Sequence, residues 1–201
     1  GLIGEVSSKV LNQAIAIVRQ FRAIALKYPV AINLAGSDLL VNKFYNALID
    51  VATHQPDLLN QLTLELTENS IISHKQPLFD KIHALKKLGF SIALDDFGTG
   101  QSSLGRLRDF TFDKVKIDKS FVEDLGTSSS GHAMIRAITT LANALGMETL
   151  AEGVEDIAQF EVLEREGCQN IQGYLFSRPV AANAVAGLLR DGAGYQRQLS
   201  A

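Results

Sequence analysis

In Ile92–Ser103, IALDDFGTGQSS, two adjacent carboxylates, Asp95 and Asp96, end an apolar run and lead into a glycine-bearing turn. Other apolar runs end the same way: Asn33 in VAINL, Glu65 in LTLELT, Lys116 and Asp118 in DKVKID, Glu152 in ETLAEG. Any one of these could be a helix cap or half of a salt bridge. Together they set five acids, Glu65, Asp95, Asp96, Asp118 and Glu152, against one lysine. Carboxylates crowded into a low-dielectric site raise one another's pKa unless cations neutralise them. Oxygen donors without nearby histidine suit hard cations such as Mg²⁺ or Mn²⁺ rather than zinc. Two such ions, sharing a carboxylate and about 3.5–4 Å apart, activate water and steady charge on a phosphate. On this reading Asp95–Asp96 bridges two metals. The turn FGTGQSS, with Gly98 and Gly100, is by itself an ordinary strand-to-helix loop; beside the acid pair it could close over the metals.

These residues need elements that bring them together. Short apolar runs at 29–34, 62–67, 91–96, 112–118, 148–153 and 168–173 read as strands. Amphipathic stretches lie between them. One long helix is expected over 3–28, before the first strand. Others are expected over 37–54 with Ser37 as N-cap, 73–89 stopping at Gly89, and 102–110 as a short helix. Three more are expected over 131–146, 156–167 and 182–192. Strand alternating with helix implies a parallel sheet, in its strongest form a closed (β/α)8 barrel. Period-two alternation then divides each strand: Leu62, Leu64 and Leu66 face the outer helices, while Thr63, Glu65 and Thr67 face the interior. Active sites of such barrels gather at the C-terminal ends of the strands, where these polar residues lie. Such barrels typically need about 250 residues. Six strands in a chain of 201 residues that opens on a helix imply that about two N-terminal strands are missing. The barrel domain is expected over 1–190, with a frayed polar tail over 191–201.

Composition narrows the classes further. Hydrophobic residues make up 46%, enough for a sizeable core, and 19 Lys and Arg against 22 Asp and Glu leave a net charge of −3. That balance argues against bulk attraction to nucleic acid or membrane, but not against one small phosphate-bearing ligand held through metals. The single cysteine, Cys168, excludes an internal disulfide and fits a reducing, cytoplasmic compartment. No apolar run reaches the roughly 18 residues of a membrane span, although a parent protein could be membrane-anchored elsewhere.

The segments LTLELTENS, LDDFGTGQSSL, KIDKSFV, AEGVE and QGYLFSRP closely resemble, in order and spacing, the motifs of the EAL domain, a family of bacterial cyclic di-GMP phosphodiesterases. The match runs from Asn33 to Pro179, and the opening helix fits as well. The resemblance implies a TIM-like barrel with one antiparallel strand, and cleavage of cyclic di-GMP to linear pGpG with two Mg²⁺ or Mn²⁺ ions. It implies that Asn33, Glu65, Asp95 and Asp96 are metal ligands and that Glu152 is a further ligand or the general base. By the same resemblance Lys116 orients the attacking water, Asp118 belongs to the inner polar layer against the substrate, and Gln172 lines the pocket. Glu68 looks like the residue that braces the loop after Asp96, and Glu155 like a structural one. A homodimer formed near that loop is also implied, as is fusion to sensory or diguanylate cyclase domains. Two departures stand out: the Glu-Ala-Leu triplet of the family's first strand, with an arginine shortly after it, does not occur here, and Gln101 replaces the usual tyrosine.

A second class is a cyclic di-GMP receptor that binds without cutting. Such relatives usually lose several of the metal-binding acids, which are intact in this segment. With a ligand and two strands expected upstream, this segment alone is expected to show little turnover. A third class, a Schiff-base aldolase using Lys116, conflicts with the surrounding acids, which hold a lysine protonated rather than nucleophilic. His54, His74, His83 and His132 show no ligand spacing, and Cys168 reads as a small buried apolar residue.

Overall fold

The computed structural model of the chain describes residues 2–73, 76–98, 112–126 and 129–191. Among these residues six strands, β1 (Val30–Leu34), β2 (Leu62–Thr67), β3 (Ser91–Phe97), β4 (Lys114–Ile117), β5 (Glu148–Ala151) and β6 (Asn170–Ile171), form one sheet in sequence order. All five pairings are parallel. Helices cross between them: α1 (Leu2–Ala23), α2 (Gly36–Leu40), α3 (Asn42–His54), α4 (Glu68–Ser73), α5 (Gln76–Leu88), α6 (Lys119–Glu123), α7 (Ser129–Ala144), α8 (Ile157–Arg165) and α9 (Ala182–Asp191). A parallel α/β sheet coiling in this order is part of a TIM-like barrel. None of the helices among the described residues is long and apolar enough to cross a membrane.

The alternation in the strands is the architecture. Leu62, Leu64 and Leu66 have no exposed surface, and with Ile32, Ile92, Leu94, Val115 and Ile117 they form the outer face of the sheet. Against it α1 packs Leu11, Ala14, Ile15 and Val18, a stripe at helical spacing, while α3 contributes Phe44 and Leu48. The inner face carries the polar set: Asn33 lies opposite Glu65, and Thr67 opposite Asp95.

Three expectations shift. The helix expected from 37 to 54 is broken at Val41, whose extended backbone (φ −77°, ψ 112°) separates α2 from α3. The bend lets Leu39 and Phe44 both be fully buried. Ser37 is not the cap; Ala35 occupies that position, and its N–H donates to Asp38 Oδ2 at 3.0 Å. Helix also begins at once after β2, at Glu68, rather than at Ser73. The last three strands are shorter than their apolar runs; at β4 the flanking Asp113 and Asp118 turn their side chains back to the main chain. Asp113 accepts from Ile92 N at 2.9 Å. The stops hold: at Gly89, φ +109°, the chain leaves α5 through bonds from Gly89 N to Lys86 O and from Phe90 N to Leu85 O. The expected helix at 102–110, Gly100, Gln101, His74 and the tail beyond Asp191 lie outside the described residues.

Candidate active site at the carboxyl ends of the strands

Lys116 stands in the middle of β4, buried, with its side chain on the inner face. Its Nζ meets three carboxylates, from β2, β3 and the residue just past β5: Glu65 Oε2 at 2.8 Å, Asp95 Oδ1 at 2.9 Å and Glu152 Oε1 at 2.8 Å. Parallel register explains the convergence. Glu65 pairs with Ala93 on β3, Ala93 pairs with Lys114 on β4, and the same face two residues further on presents Asp95 and Lys116. Glu152 follows β5 directly, its N–H donating to Ile117 O at 3.1 Å, so the ladder carries it level with Lys116. From β1, the Asn33 amide lies 3.2 Å from both Glu65 Oε2 and Asp95 Oδ2. With its nitrogen turned to them it donates to both; with its oxygen turned to them, three oxygens face one another in an arrangement that needs a cation.

Asp95 and Asp96 should point to opposite faces by strand alternation. A bulge prevents it. Leu94 pairs with Val115 and Phe97 with Ile117, so two residues of β3 oppose Lys116 alone. Asp96 takes up the extra residue in the left-handed region, φ +54°, a conformation aspartate adopts more readily than most residues. Phe97 returns to the buried outer face, and Asp96 N donates to Asp95 Oδ1 at 3.0 Å. Carboxylate oxygens of Asp95, Asp96 and Glu152 all come within 4.8 Å of one another. Just beyond, Gly98 N donates to Glu68 Oε2 at 3.3 Å, so Glu68, buried at the head of α4, holds the start of the turn after Asp96.

The electrostatics follow from this crowding. Glu152 is pushed above the usual carboxylate range, first by burial, with Asp95 and Glu65 adding to it and Lys116 working against it. Asp96 is raised by burial and by its neighbours Asp95 and Asp118. Lys116 is driven further up than a free lysine by its hydrogen bonds to Glu152, Glu65 and Asp95, which outweigh its burial. One ammonium therefore faces four carboxylates, a deficit of positive charge that divalent ions would fill. The donors fit such ions: every one is a carboxylate or amide oxygen, and among the described residues the cluster brings in no histidine or cysteine. Asp95, Asp96 and Glu152, with Asn33 and Glu65 beside them, are the residues that could hold them.

The remaining sequence candidates fall around this centre. Asp118 caps α6, its Oδ1 accepting from Ser120 N at 3.0 Å and from Ser120 Oγ at 2.5 Å; it touches the site through its charge on Asp96. Gln172 follows β6, its N–H donating to Ala151 O at 2.8 Å. It lines a cleft of about 630 Å³ on the inner face, with Ala31, Thr63, Glu65 and Leu150. Cys168 is buried, its thiol raised by desolvation, and sits away from the cluster. Gly153 and Gly173, each directly after a rim residue, bear no polar group and gave no chemical signal in the sequence. Their place shows only in how closely the backbone packs around them.

The EAL domain model matches residues 1–179. The chain is 33% identical over 189 residues to the cyclic di-GMP phosphodiesterase PA2567 of Pseudomonas aeruginosa, covering 94% of this chain and 32% of that protein. The PaMucR phosphodiesterase, solved as a c-di-GMP complex, superposes with a TM-score of 0.81 at 33% identity, covering 92% of this chain and 75% of that one. Klebsiella pneumoniae BlrP1, solved with manganese and cyclic di-GMP, gives 0.72 at 30% identity, over 86% and 44%. The chain spans between 22% and 32% of the length of eight curated relatives, which are larger proteins.

Proposed function

The chain belongs to the EAL domain family, and from that premise we propose that it hydrolyses cyclic di-GMP to linear pGpG with two Mg²⁺ or Mn²⁺ ions. The observation that carries this reading is the intact acid cluster: Glu65, Asp95 and Glu152 on one lysine, with Asp96 brought to the same side by a bulge. A receptor that only binds its ligand has no need to keep so many repelling carboxylates together. PA2567, a cyclic di-GMP phosphodiesterase, PaMucR, a phosphodiesterase solved with c-di-GMP, and the ligands of the BlrP1 complex support the same substrate and a divalent ion.

In this reading Asn33, Glu65, Asp95, Asp96 and Glu152 hold the metals. Bound ions would supply Lewis acidity toward the phosphate and lower the pKa of an attacking water. The chain's own groups do the rest. Lys116, kept protonated by three carboxylates that take up its three N–H donors, would orient water through a donor that one of them gives up on holding a metal, and offsets charge as it builds on the phosphate. Glu152, its pKa raised by burial and so more basic than a free carboxylate, is suited to accept the water's proton. Water's oxygen joins phosphorus, the 3′ oxygen leaves and takes up a proton, and one of two phosphodiester bonds is opened. Gln172 and Asp118 line the substrate side, and Glu68 braces the turn after Asp96. Larger relatives support fusion to sensory or diguanylate cyclase domains, and we place the reaction in the cytoplasm, with a homodimer as the working assembly.

The test is pGpG formation by the full-length protein with Mn²⁺, against Glu152→Gln. Turnover in the wild type and a loss of several orders of magnitude in the variant are expected. Tight cyclic di-GMP binding with no pGpG at any metal concentration would make the protein a receptor instead.

A further inference from the structure

Glu152 and Gln172 stand at the ends of neighbouring strands, and each is followed at once by glycine. The two ends are joined by backbone alone. Gln172 N donates to Ala151 O at 2.8 Å, Val154 N to Gln172 O at 3.1 Å, and Leu175 N to Val154 O at 3.0 Å. Gly173 lies flat on the Val154 peptide: a Cβ there would overlap Val154 N and O and sit 2.6 Å from its carbonyl carbon. These are main-chain atoms of a fully buried residue, so no rotamer change can make room. On the other side Gly153, φ +73°, leaves space for Lys119, whose Cβ would lie 2.5 Å from an added one.

We propose that Gly153 and Gly173 are positioning residues for Glu152, setting the height at which its carboxylate meets Lys116 and the metals. The inference rests on reading Glu152 as a carboxylate of the metal site. A side chain at 173, its Cβ overlapping Val154 O, would have to move that backbone by more than an ångström to reach ordinary contact. A preorganised constellation tolerates about 0.5 Å. Neither glycine contributes apolar volume to the core; what each supplies is the absence of a side chain between Glu152 and the segments that fix it.

The experiment is Mn²⁺ binding by the full-length protein, read from the electron paramagnetic resonance signal of unbound Mn²⁺, which needs no turnover. Gly173→Ala is expected to weaken Mn²⁺ binding about 10–100-fold, the range for residues that orient metal ligands. Gly187→Ala in α9, where an added Cβ meets nothing within 4 Å, is expected to bind as the wild type does. In a Glu152→Gln background, Gly173→Ala should add no more than about twofold, since the group it positions is gone. Gly153→Ala should weaken binding and Lys119→Gly, by removing the opposing Cβ, should restore part of it. That pair decides the matter if Gly173→Ala does not accumulate as folded protein. Folded Gly173→Ala or Gly153→Ala with wild-type Mn²⁺ affinity overturns the proposal, as does an undiminished loss in the Glu152→Gln background. A wild type that binds no Mn²⁺ overturns the metal-site reading itself, and this inference with it.

Discussion

Along β2, Leu62, Leu64 and Leu66 face the helices with no exposed surface, while on the opposite face Glu65 meets Lys116 at 2.8 Å. The two faces are built from alternate residues of one short strand, yet their energetics differ in kind. The leucines are stabilising wherever volume and shape are met, through apolar area removed from water. The charges are not: desolvating a lysine and several carboxylates costs more than their attraction reliably returns, and in the function proposed above the set is kept together for what it binds. Stability in this sheet thus comes from outside, and chemistry is placed on the inside at some cost to the fold. Metal ions should matter to one face and leave the other indifferent.

The largest effect is expected from Lys116→Met. It leaves Glu65, Asp95 and Glu152 buried without their common cation, a loss of about 3–5 kcal/mol in metal-free protein. Mn²⁺ should return part of it, because the ions offset the same charge; denaturant unfolding with and without Mn²⁺ measures both, and a loss below about 1 kcal/mol would show the cluster to be solvated rather than buried. Leu64→Ala on the other face should cost about 2–5 kcal/mol through the cavity it leaves. That loss should be the same with Mn²⁺ as without; a metal-dependent cost would mean the faces are coupled.

The pH dependence has a definite sign. Glu152 and Asp96 have raised folded-state pKa values, so the metal-free fold binds their protons more tightly than the unfolded chain does. Their charged forms weaken the fold above those values, and the penalty fades as pH falls through them. Mn²⁺ competes with these same protons. The rise in Tm on adding Mn²⁺ should therefore be greatest at neutral to mildly alkaline pH and shrink toward the carboxylate range. Calorimetric scans over a pH series check it, and a gain that grows on acidification would contradict the raised values. The smallest effect belongs to the exposed pair Arg22–Asp57, which links α1 to the turn before β2. Arg22→Ala should cost only about 0.2–1 kcal/mol, reduced further by salt, in contrast with the Lys116 cluster.

Much of the site was legible before any coordinates. Asn33, Glu65, Asp95, Lys116 and Glu152 stand on alternate positions beside apolar residues, so a sheet with one apolar face had to bring them to the other. Asp96 was different: alternation sends it outward, and only the bulge against Lys116 brings it in. The break at Val41 was hidden because both halves of that stretch are good amphipathic helix. Only in the folded chain does the break coincide with full burial of Leu39 on one side and Phe44 on the other. Asp118 was legible as one more polar residue at a strand end; that it also caps α6, accepting from Ser120 N, shows only in the structure.

By itself the sequence determined the order of strand and helix, the parallel sheet, the apolar outer face and the set of acids that share one end. These rest on periodicity and residue type, which are local properties of the chain. Tertiary structure decided which acids touch: the register between strands, the left-handed turn at Asp96, and the bare backbone at Gly153 and Gly173 that fixes Glu152. Those depend on distances of a few ångströms between segments far apart in the chain, and no local pattern encodes them.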